Sequence, residues 1–242
     1  MHCSRRQAPV STHSCGEAKL AAARSGSQRL RSLVFCDHVQ EAMLPVEWLG
    51  KSYFVVAPSS PGGAVAAHSV TLVGAHDGTH LDYEPAPPPG APLELAAGEA
   101  VSLGIVESDF RVSADHPFLV STFLMSAEFL GTPDWLGDPS QTAPVPLEGF
   151  GLTHTLHLRD DMTETWADVV APLGAQVLLD GTAVVGAPSA IGTSGFGVHR
   201  LPLGPGDGGR HTITADAPVS VQVLQYANAV SVAYPASLQF SP

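Results

Sequence analysis

Short runs with a period of two dominate the chain from residue 52 onward. Each run alternates apolar and polar residues or is rich in Val, Leu, Phe and Thr, and clusters of Gly, Pro, Asp and Ser bound it. Such runs predict β-strands, because successive side chains of a strand point to opposite faces of a sheet. The predicted strands are 52–58, 68–75, 79–84, 100–106, 110–114 and 117–125 in the first half, and 152–159, 166–172, 175–181, 196–203, 211–216, 219–227 and 230–235 in the second.

One turn sequence occurs twice. FRVSADHPFLVSTFL (110–124) and HTITADAPVSVQVLQ (211–225) share an Ala-Asp-x-Pro turn followed by an alternating apolar tail. A second similar pair, 68–85 and 165–184, lies upstream of these copies at nearly the same spacing. The pattern indicates a duplicated structural unit, and the alternative is a chance similarity between two generic β-hairpins.

The strand pattern and the repeat together predict a fold class. Short strands at regular spacing with tight turns are typical of sandwiches and barrels. We therefore expect a mainly β protein made of two tandem antiparallel β-sandwich-like lobes that arose by internal duplication. The first lobe is predicted at 36–136 and the second at 137–242, with a linker within 131–150, and residues 1–35 form a basic tail.

Charge divides the tail from the rest. Six of the eleven basic residues but one of the 23 acidic residues precede Leu33, and the whole chain has a net charge of −12. The predicted β region is therefore strongly acidic, which repels phosphate backbones and anionic lipid and argues against nucleic-acid or membrane-surface binding. We expect the residues before Leu33 to be disordered or to form an isolated helix, without contact with the core.

Cysteines and apolar runs limit the cellular context. Cys3, Cys15 and Cys36 all precede the first predicted strand, so the fold is expected to have no disulfide framework. No run approaches eighteen uninterrupted apolar residues, which argues against membrane insertion, and the chain as given shows no secretory signal peptide.

The repeated turns carry an aspartate that could be chemical or structural. Asp115 and Asp216 each stand two residues before a proline, Pro117 and Pro218. A turn aspartate commonly accepts a hydrogen bond from a backbone N–H. Because the residue recurs in both copies, we expect a structural role, with each proline just before a buried central strand.

Histidines offer a metal hypothesis. His76 and His80 flank Asp77-Gly78, so a hairpin turn could bring both imidazoles together with Asp77 or Asp82. Along one extended strand, however, the two histidines would lie about 13 Å apart, too far to share an ion. Surface histidines are the alternative, and we predict no cofactor.

A serine and an acidic loop also invite a chemical interpretation. Ser194 lies in GTSGFG, but the nucleophile pattern G-x-S-x-G requires glycine where the chain has Phe196. Asp160, Asp161 and Glu164 lack the alternating oxygens and the glycine of a calcium loop. We interpret both segments as ordinary loops, and the sequence therefore predicts no catalytic residues.

Tryptophans are candidates for the lobe junction. Trp48 and Trp135 lie on predicted connectors, where a large aromatic side chain could be buried against both lobes, and Trp166 lies on a predicted strand. We therefore expect Trp48 and Trp135 to anchor the junction. Stacking of these rings on sugars is the alternative.

Four segments, in order and spacing, resemble a known family. They are DHVQEAMLPVEWLGKSYFVV (37–56), GDPSQTAPVPLEGF (137–150), GAQVLLDGTAV (174–184) and GRHTITADAPVSVQVLQYANAVSVAYP (209–235). Over residues 36–241 the chain resembles the IgGFc-binding protein N-terminal domain, a β-rich module of large secreted animal mucus proteins and of bacterial extracellular proteins. Gly149, where the family often has glutamine, is a departure that weakens the transfer of any binding surface.

The resemblance implies a function without a named chemistry. It indicates a non-enzymatic module for recognition or adhesion at the cell surface or outside the cell, with a protein or glycan ligand. Two alternatives stay open from the residues alone. One is a hydrolase or carbohydrate-binding domain with a cleft between the lobes, and the other is an architectural spacer in a larger surface protein.

Overall fold

The structure, a computed structural model, describes residues 12–13, 38–39, 41, 44–206 and 209–236. These residues form eighteen strands, one short helix, α1 (Ala127–Leu130), and three 3₁₀ turns (Val46–Trp48, Pro133–Trp135 and Leu147–Gly149). The predicted mainly β class is confirmed, and the described residues contain no helix long and apolar enough to cross a membrane. The strands are β1 (Thr12–His13), β2 (His38–Val39), β3 (Ser52–Val55), β4 (His68–Gly74), β5 (Thr79–Glu84), β6 (Glu94–Leu95), β7 (Ala100–Val106), β8 (Phe110–Ala114), β9 (Phe118–Leu124), β10 (Ser140–Thr142), β11 (Gly151–His157), β12 (Glu164–Pro172), β13 (Val177–Leu179), β14 (Thr182–Ala183), β15 (Ser189–Ala190), β16 (Phe196–Gly204), β17 (Arg210–Ala227) and β18 (Val230–Pro235).

The first lobe is a sandwich of two four-stranded antiparallel sheets. One sheet has the order β3-β8-β5-β6 and the other has the order β10-β9-β4-β7. A single apolar cluster takes side chains from both sheets, including Tyr53 and Val112 from the first and Leu72 and Phe118 from the second. Side chains from the facing surfaces of the two sheets therefore form one core between two layers.

The second lobe is built around one long strand. The N-terminal part of β17 pairs with β11 and β13, and its C-terminal part pairs with β12 and β18. The strand therefore belongs to two sheet layers, β14-β13-β17-β11 and β15-β16-β12-β17-β18. Leu156, Val169, Ile213 and Val223 contribute to the apolar cluster of this lobe.

The two lobes share a strand order. In the first lobe β8 and β9 pair with β3, β5, β4 and β10, just as the two parts of β17 pair with β11, β13, β12 and β18. The turn at 115–117 separates β8 from β9, whereas at the equivalent point β17 continues through a shift in register opposite Gly151 and Thr153. This correspondence agrees with the predicted duplication, which stays a prediction about origin.

The predicted segment boundaries differ from the observed pairing in one respect. Within the predicted linker 131–150, β10 pairs with β9, so the sheet β10-β9-β4-β7 of the first lobe extends beyond the proposed boundary at residue 136. The Gln141 amide donates to the Ser121 hydroxyl and holds this return of the chain against β9. In the predicted tail, Thr12–His13 pairs with β2, and the rest of the prediction for residues 1–35 lies outside the described residues.

Two further apolar clusters join the lobes. One packs Phe54 from β3 against Val170 from β12 and Ile191 from the loop after β15. The other packs Leu124 from β9 against Leu224 from β17. The lobe junction is therefore a buried interface, and it positions the polar groups described next.

Candidate functional site

The repeated aspartates make the same contacts in both lobes. Asp115 Oδ1 accepts the backbone N–H of His80 (2.9 Å), and Asp216 Oδ1 accepts that of Gln176 (2.8 Å). Each aspartate N–H in turn donates to the carbonyl of the same residue, at 3.4 and 3.2 Å. The backbone bond from His80, with those from the His116 and His80 rings, lowers the pKa of Asp115 to about 2. Both carboxylates thus tie a turn to the neighbouring strand.

The prolines of these turns lie at corresponding places. Pro117 immediately precedes β9, every residue of which is buried. Pro218 lies inside β17 at the register shift and precedes the buried Val219. Proline has no N–H to donate to a ladder, so it suits a position where pairing changes from one sheet layer to the other.

The structure does not bring together His76, His80 and Asp77, the side chains of the metal hypothesis. His80 Nδ1 lies 3.2 Å from Asp115 Oδ2, and His116 Nδ1 lies 3.0 Å from Oδ1 of the same carboxylate. Asp77 instead accepts the N–H of Ala97, and the His76 ring packs on that of His116. In the described part of the chain, no three His, Cys, Asp or Glu side chains are arranged to hold a metal ion.

The serine and the acidic loop are engaged in local bonds. The Ser194 hydroxyl donates to the Ile191 carbonyl (2.6 Å) and accepts the Phe196 N–H (3.2 Å), which closes a turn. Arg159 Nε donates to Asp161 Oδ1 at 2.8 Å. These side chains stabilise the conformations of their own loops.

The predicted burial of Trp48 and Trp135 at the lobe junction is wrong. Each residue is 51% exposed. Both are the last residues of three-residue 3₁₀ turns in which no residue is buried. The junction instead uses Trp166 of β12, whose ring packs over Gly63 and whose indole N–H donates to Glu164 at 2.7 Å.

A loop of the first lobe inserts into the second lobe. We call residues 57–66, between β3 and β4, the junction loop. Within it the Ser60 N–H donates to the Ala64 carbonyl and the Ala66 N–H to the Pro58 carbonyl, so the loop is a small hairpin. Its tip, Gly62-Gly63, reaches β12, where the Gly62 N–H donates to Glu164 Oε1 (2.7 Å).

A buried carboxylate of the second lobe holds the base of this loop. Asp168 of β12 accepts two hydrogen bonds from Ser59, one from the backbone N–H (2.9 Å) and one from the hydroxyl (2.6 Å). The Tyr226 hydroxyl of β17 donates to the Ser59 carbonyl at 2.7 Å. Three polar groups of one buried serine are therefore satisfied by the other lobe.

An ion pair lies beside this contact. Arg200 Nη2, on β16, lies 2.9 and 3.0 Å from the two oxygens of Asp109 and donates to the Ala57 carbonyl at 3.0 Å. The Ala57 N–H donates to Asp109 Oδ1. The side chains of Arg200 and Asp109 are 13% and 17% exposed, so solvent screens the pair weakly.

Burial dominates the electrostatics of this site. Desolvation raises the pKa of Asp168 to about 6, against the opposing effects of the two Ser59 bonds and the Arg200 charge. Desolvation and the neighbouring carboxylates also raise the pKa of Tyr226. A largely apolar cleft lies next to Asp168, lined by residues that include Phe54, Val145 and Val170.

Chemically, this arrangement suits attachment rather than catalysis. Both oxygens of Asp168 accept hydrogen bonds from the neighbouring loop, and Arg200 neutralises a carboxylate of the other lobe. Neither Asp168 nor Arg200 was among the candidate site residues that the sequence suggested. The available signal was one acidic residue within the apolar run WADVVAP and one basic residue within FGVHRLPL.

The comparisons place the chain in a family. No curated protein and no solved structure shows significant similarity to it. The family model described as IgGFc binding protein matches residues 16–224, which is most of the chain. The chain therefore belongs to the IgGFc binding protein family, as its resemblance in sequence indicated.

Proposed function

We propose that the chain is a non-enzymatic recognition or adhesion module that acts outside the cell or at the cell surface. The family match carries this proposal, because it covers the first lobe and the second as far as residue 224, and its description is that of a binding protein. Two side chains for which the sequence allowed a chemical role, Ser194 and Asp115, support it, as does Asp168, which lies at the lobe junction. Ser194, Asp115 and Asp168 hold turns and the lobe junction through hydrogen bonds of 2.6–2.9 Å.

The ligand is a protein or a glycan rather than a polyanion. With a net charge of −12 and its basic residues concentrated before Leu33, the β region would repel nucleic acid and anionic lipid. Exposed apolar side chains such as Leu93 and Val185 provide contact area that an uncharged or cationic protein surface could cover. Binding needs no metal or cofactor in this proposal.

A binding experiment with matched ligands tests this proposal. The full chain is immobilised and exposed to immunoglobulin G Fc, to Fab as the control of similar fold, and to mucin glycoprotein before and after enzymatic removal of its glycans. We expect saturable binding to Fc or to mucin but not to Fab. Loss of mucin binding on deglycosylation identifies a glycan ligand, and its persistence identifies a protein ligand.

Two outcomes would contradict the proposal. A chain that binds neither Fc nor mucin behaves as an architectural spacer. Hydrolysis of mucin by the purified chain, abolished by Ser194→Ala or Asp168→Asn, would establish an enzyme. The Ser194→Ala variant is expected to bind as the unmodified chain does, because its hydroxyl contacts only its own turn.

A further inference from the structure

The contact between Asp168 and Ser59 combines two properties that oppose one another. The carboxylate is buried at the lobe junction, where its charge loses hydration, yet it is the acceptor for both hydrogen bonds at the base of the junction loop. Removing a charged carboxylate from water costs more free energy than two hydrogen bonds restore unless a cation is paired with it. The protonation state of Asp168 therefore affects how firmly the loop is held.

Few charged groups near Asp168 can offset the negative charge of its carboxylate. Arg200 lies on the neighbouring strand β16, but its Nη2 is directed to Asp109 of the first lobe. Asp109 adds a second negative charge, and Tyr226 on β17 presents a neutral hydroxyl to the Ser59 carbonyl. The residues of β3, 143–145 and β18 that line the cleft beside Asp168 are not ionisable: Phe54, Ala143, Pro144, Val145 and Pro235.

We propose that Asp168 is a proton-operated latch between the two lobes, so that protonation of its carboxyl group tightens the docking of the junction loop and ionisation loosens it. In the protonated state Oδ2 keeps the bond from the Ser59 N–H, and Oδ1 carries the acquired proton and donates it to the Ser59 Oγ, whose own O–H rotates away from the carboxyl group. The proton comes from solvent. No charge is then buried at this point of the junction, and Arg200 is left with Asp109 alone.

The direction of the pH effect follows from the pKa of Asp168. In the closed junction the pKa is about 6, raised from 3.8 by burial. A group whose pKa is higher in the closed state than in the open state favours closure at pH values below both pKa values. This contribution is lost as the pH rises through the pKa of the closed state. Docking is therefore tighter at pH 5.0 than at pH 7.5, by a factor of about ten in the opening equilibrium.

Amide hydrogen exchange of the full chain tests the latch without a ligand. The protection factors of the Ser59 and Gly62 amides, which both donate to the second lobe, are measured at pH 5.0 and 7.5 and corrected for the intrinsic pH dependence of exchange. We expect them to fall about tenfold between the two conditions, while the amides of β4 keep theirs. In Asp168→Asn the ratio between the two conditions should be close to one, and in the matched surface variant Asp82→Asn it should equal that of the unmodified chain.

A second measurement keeps the proposal testable if Asp168→Asn does not fold. Carbon-13 labelling of aspartate carboxyl groups allows Asp168 to be titrated in the unmodified chain, with an expected midpoint near pH 6. A midpoint below pH 4.5, or equal protection of the Ser59 amide at both pH values in the unmodified chain, would overturn the proposal. A pH effect of the same size in Asp168→Asn would overturn it as well.

Discussion

The tip of the junction loop allows a paired test of how closely the two lobes are packed. Gly62 and Gly63 have almost the same backbone conformation, with φ of +81° and +82°, but different surroundings. A Cβ atom at Gly62 would meet no atom within 4 Å, whereas one at Gly63 would lie 2.7 Å from a ring carbon of Trp166. The two substitutions to alanine therefore share the backbone penalty and differ in the clash.

The magnitudes follow from these two contributions. An L-residue at positive φ costs about 1–2 kcal/mol, which is the whole expected loss for Gly62→Ala. Gly63→Ala adds the cost of overpacking, about 1–3 kcal/mol, because the Trp166 ring is held by its bond to Glu164 and cannot simply rotate away. Gly63→Ala should therefore be less stable than Gly62→Ala by at least 1 kcal/mol.

Urea unfolding of the full chain, followed by circular dichroism and tryptophan fluorescence, measures this difference. The variants Trp166→Phe and Gly63→Ala/Trp166→Phe are included because a smaller ring should recover part of the added loss, and the coupling energy of the resulting cycle isolates the contact. Equal destabilisation by the two single alanine substitutions would refute the argument. It would mean that Trp166 does not cover Gly63 in solution.

Three further substitution experiments follow from the contacts described above. Arg200→Leu should destabilise the chain by about 3–5 kcal/mol in thermal unfolding, because it leaves the largely buried carboxylate of Asp109 poorly neutralised. The control Arg159→Leu removes one partner of an exposed ion pair and should leave the melting temperature unchanged. Asp115→Ala and its counterpart Asp216→Ala should lower the melting temperature by similar amounts at pH 7, and strongly unequal losses would argue against a shared role. Because hydrogen bonds lower the pKa of Asp115 to about 2, the difference in melting temperature between Asp115→Ala and the unmodified chain should shrink as pH falls from 4 towards 2. Trp135→Ala should cost about 1–2 kcal/mol in urea unfolding rather than the 3–5 kcal/mol of a buried tryptophan, and the larger value would show that the ring is buried.

The parts of the fold that the sequence predicts are those determined by neighbouring residues. Period-two runs identified the main strands, and the recurrence of Ala-Asp-x-Pro identified two turns that make the same backbone contacts. The dipeptide Asp180-Gly181 is typical of a tight turn, and both residues have positive φ. Local pattern was sufficient in these cases because each interaction lies within one hairpin or between neighbouring strands.

The parts that could not be predicted depend on distant contacts. Ser59 and Asp168 are 109 positions apart, and nothing in the sequence around either residue indicates that one hydrogen-bonds to the other. The location of Trp135 on a connector suggested burial, but its exposure depends on whether an element of the other lobe covers the turn. Asp168 was a detectable exception within an apolar strand, although the strand pattern alone does not show which group would satisfy it.

Strand β17 has a consequence for the order in which the protein forms during synthesis. Every strand of the first lobe lies before residue 143, so that sandwich can close while the remaining chain is still being made. In the second lobe β11, β12 and β13 have no shared partner until Arg210–Ala227 leaves the ribosome, because both sheet layers are built on it. The nascent chain therefore carries unpaired strand edges and an undocked junction loop while residues 151–227 are being made, and this is the interval in which a folding chaperone would have the most surface to protect.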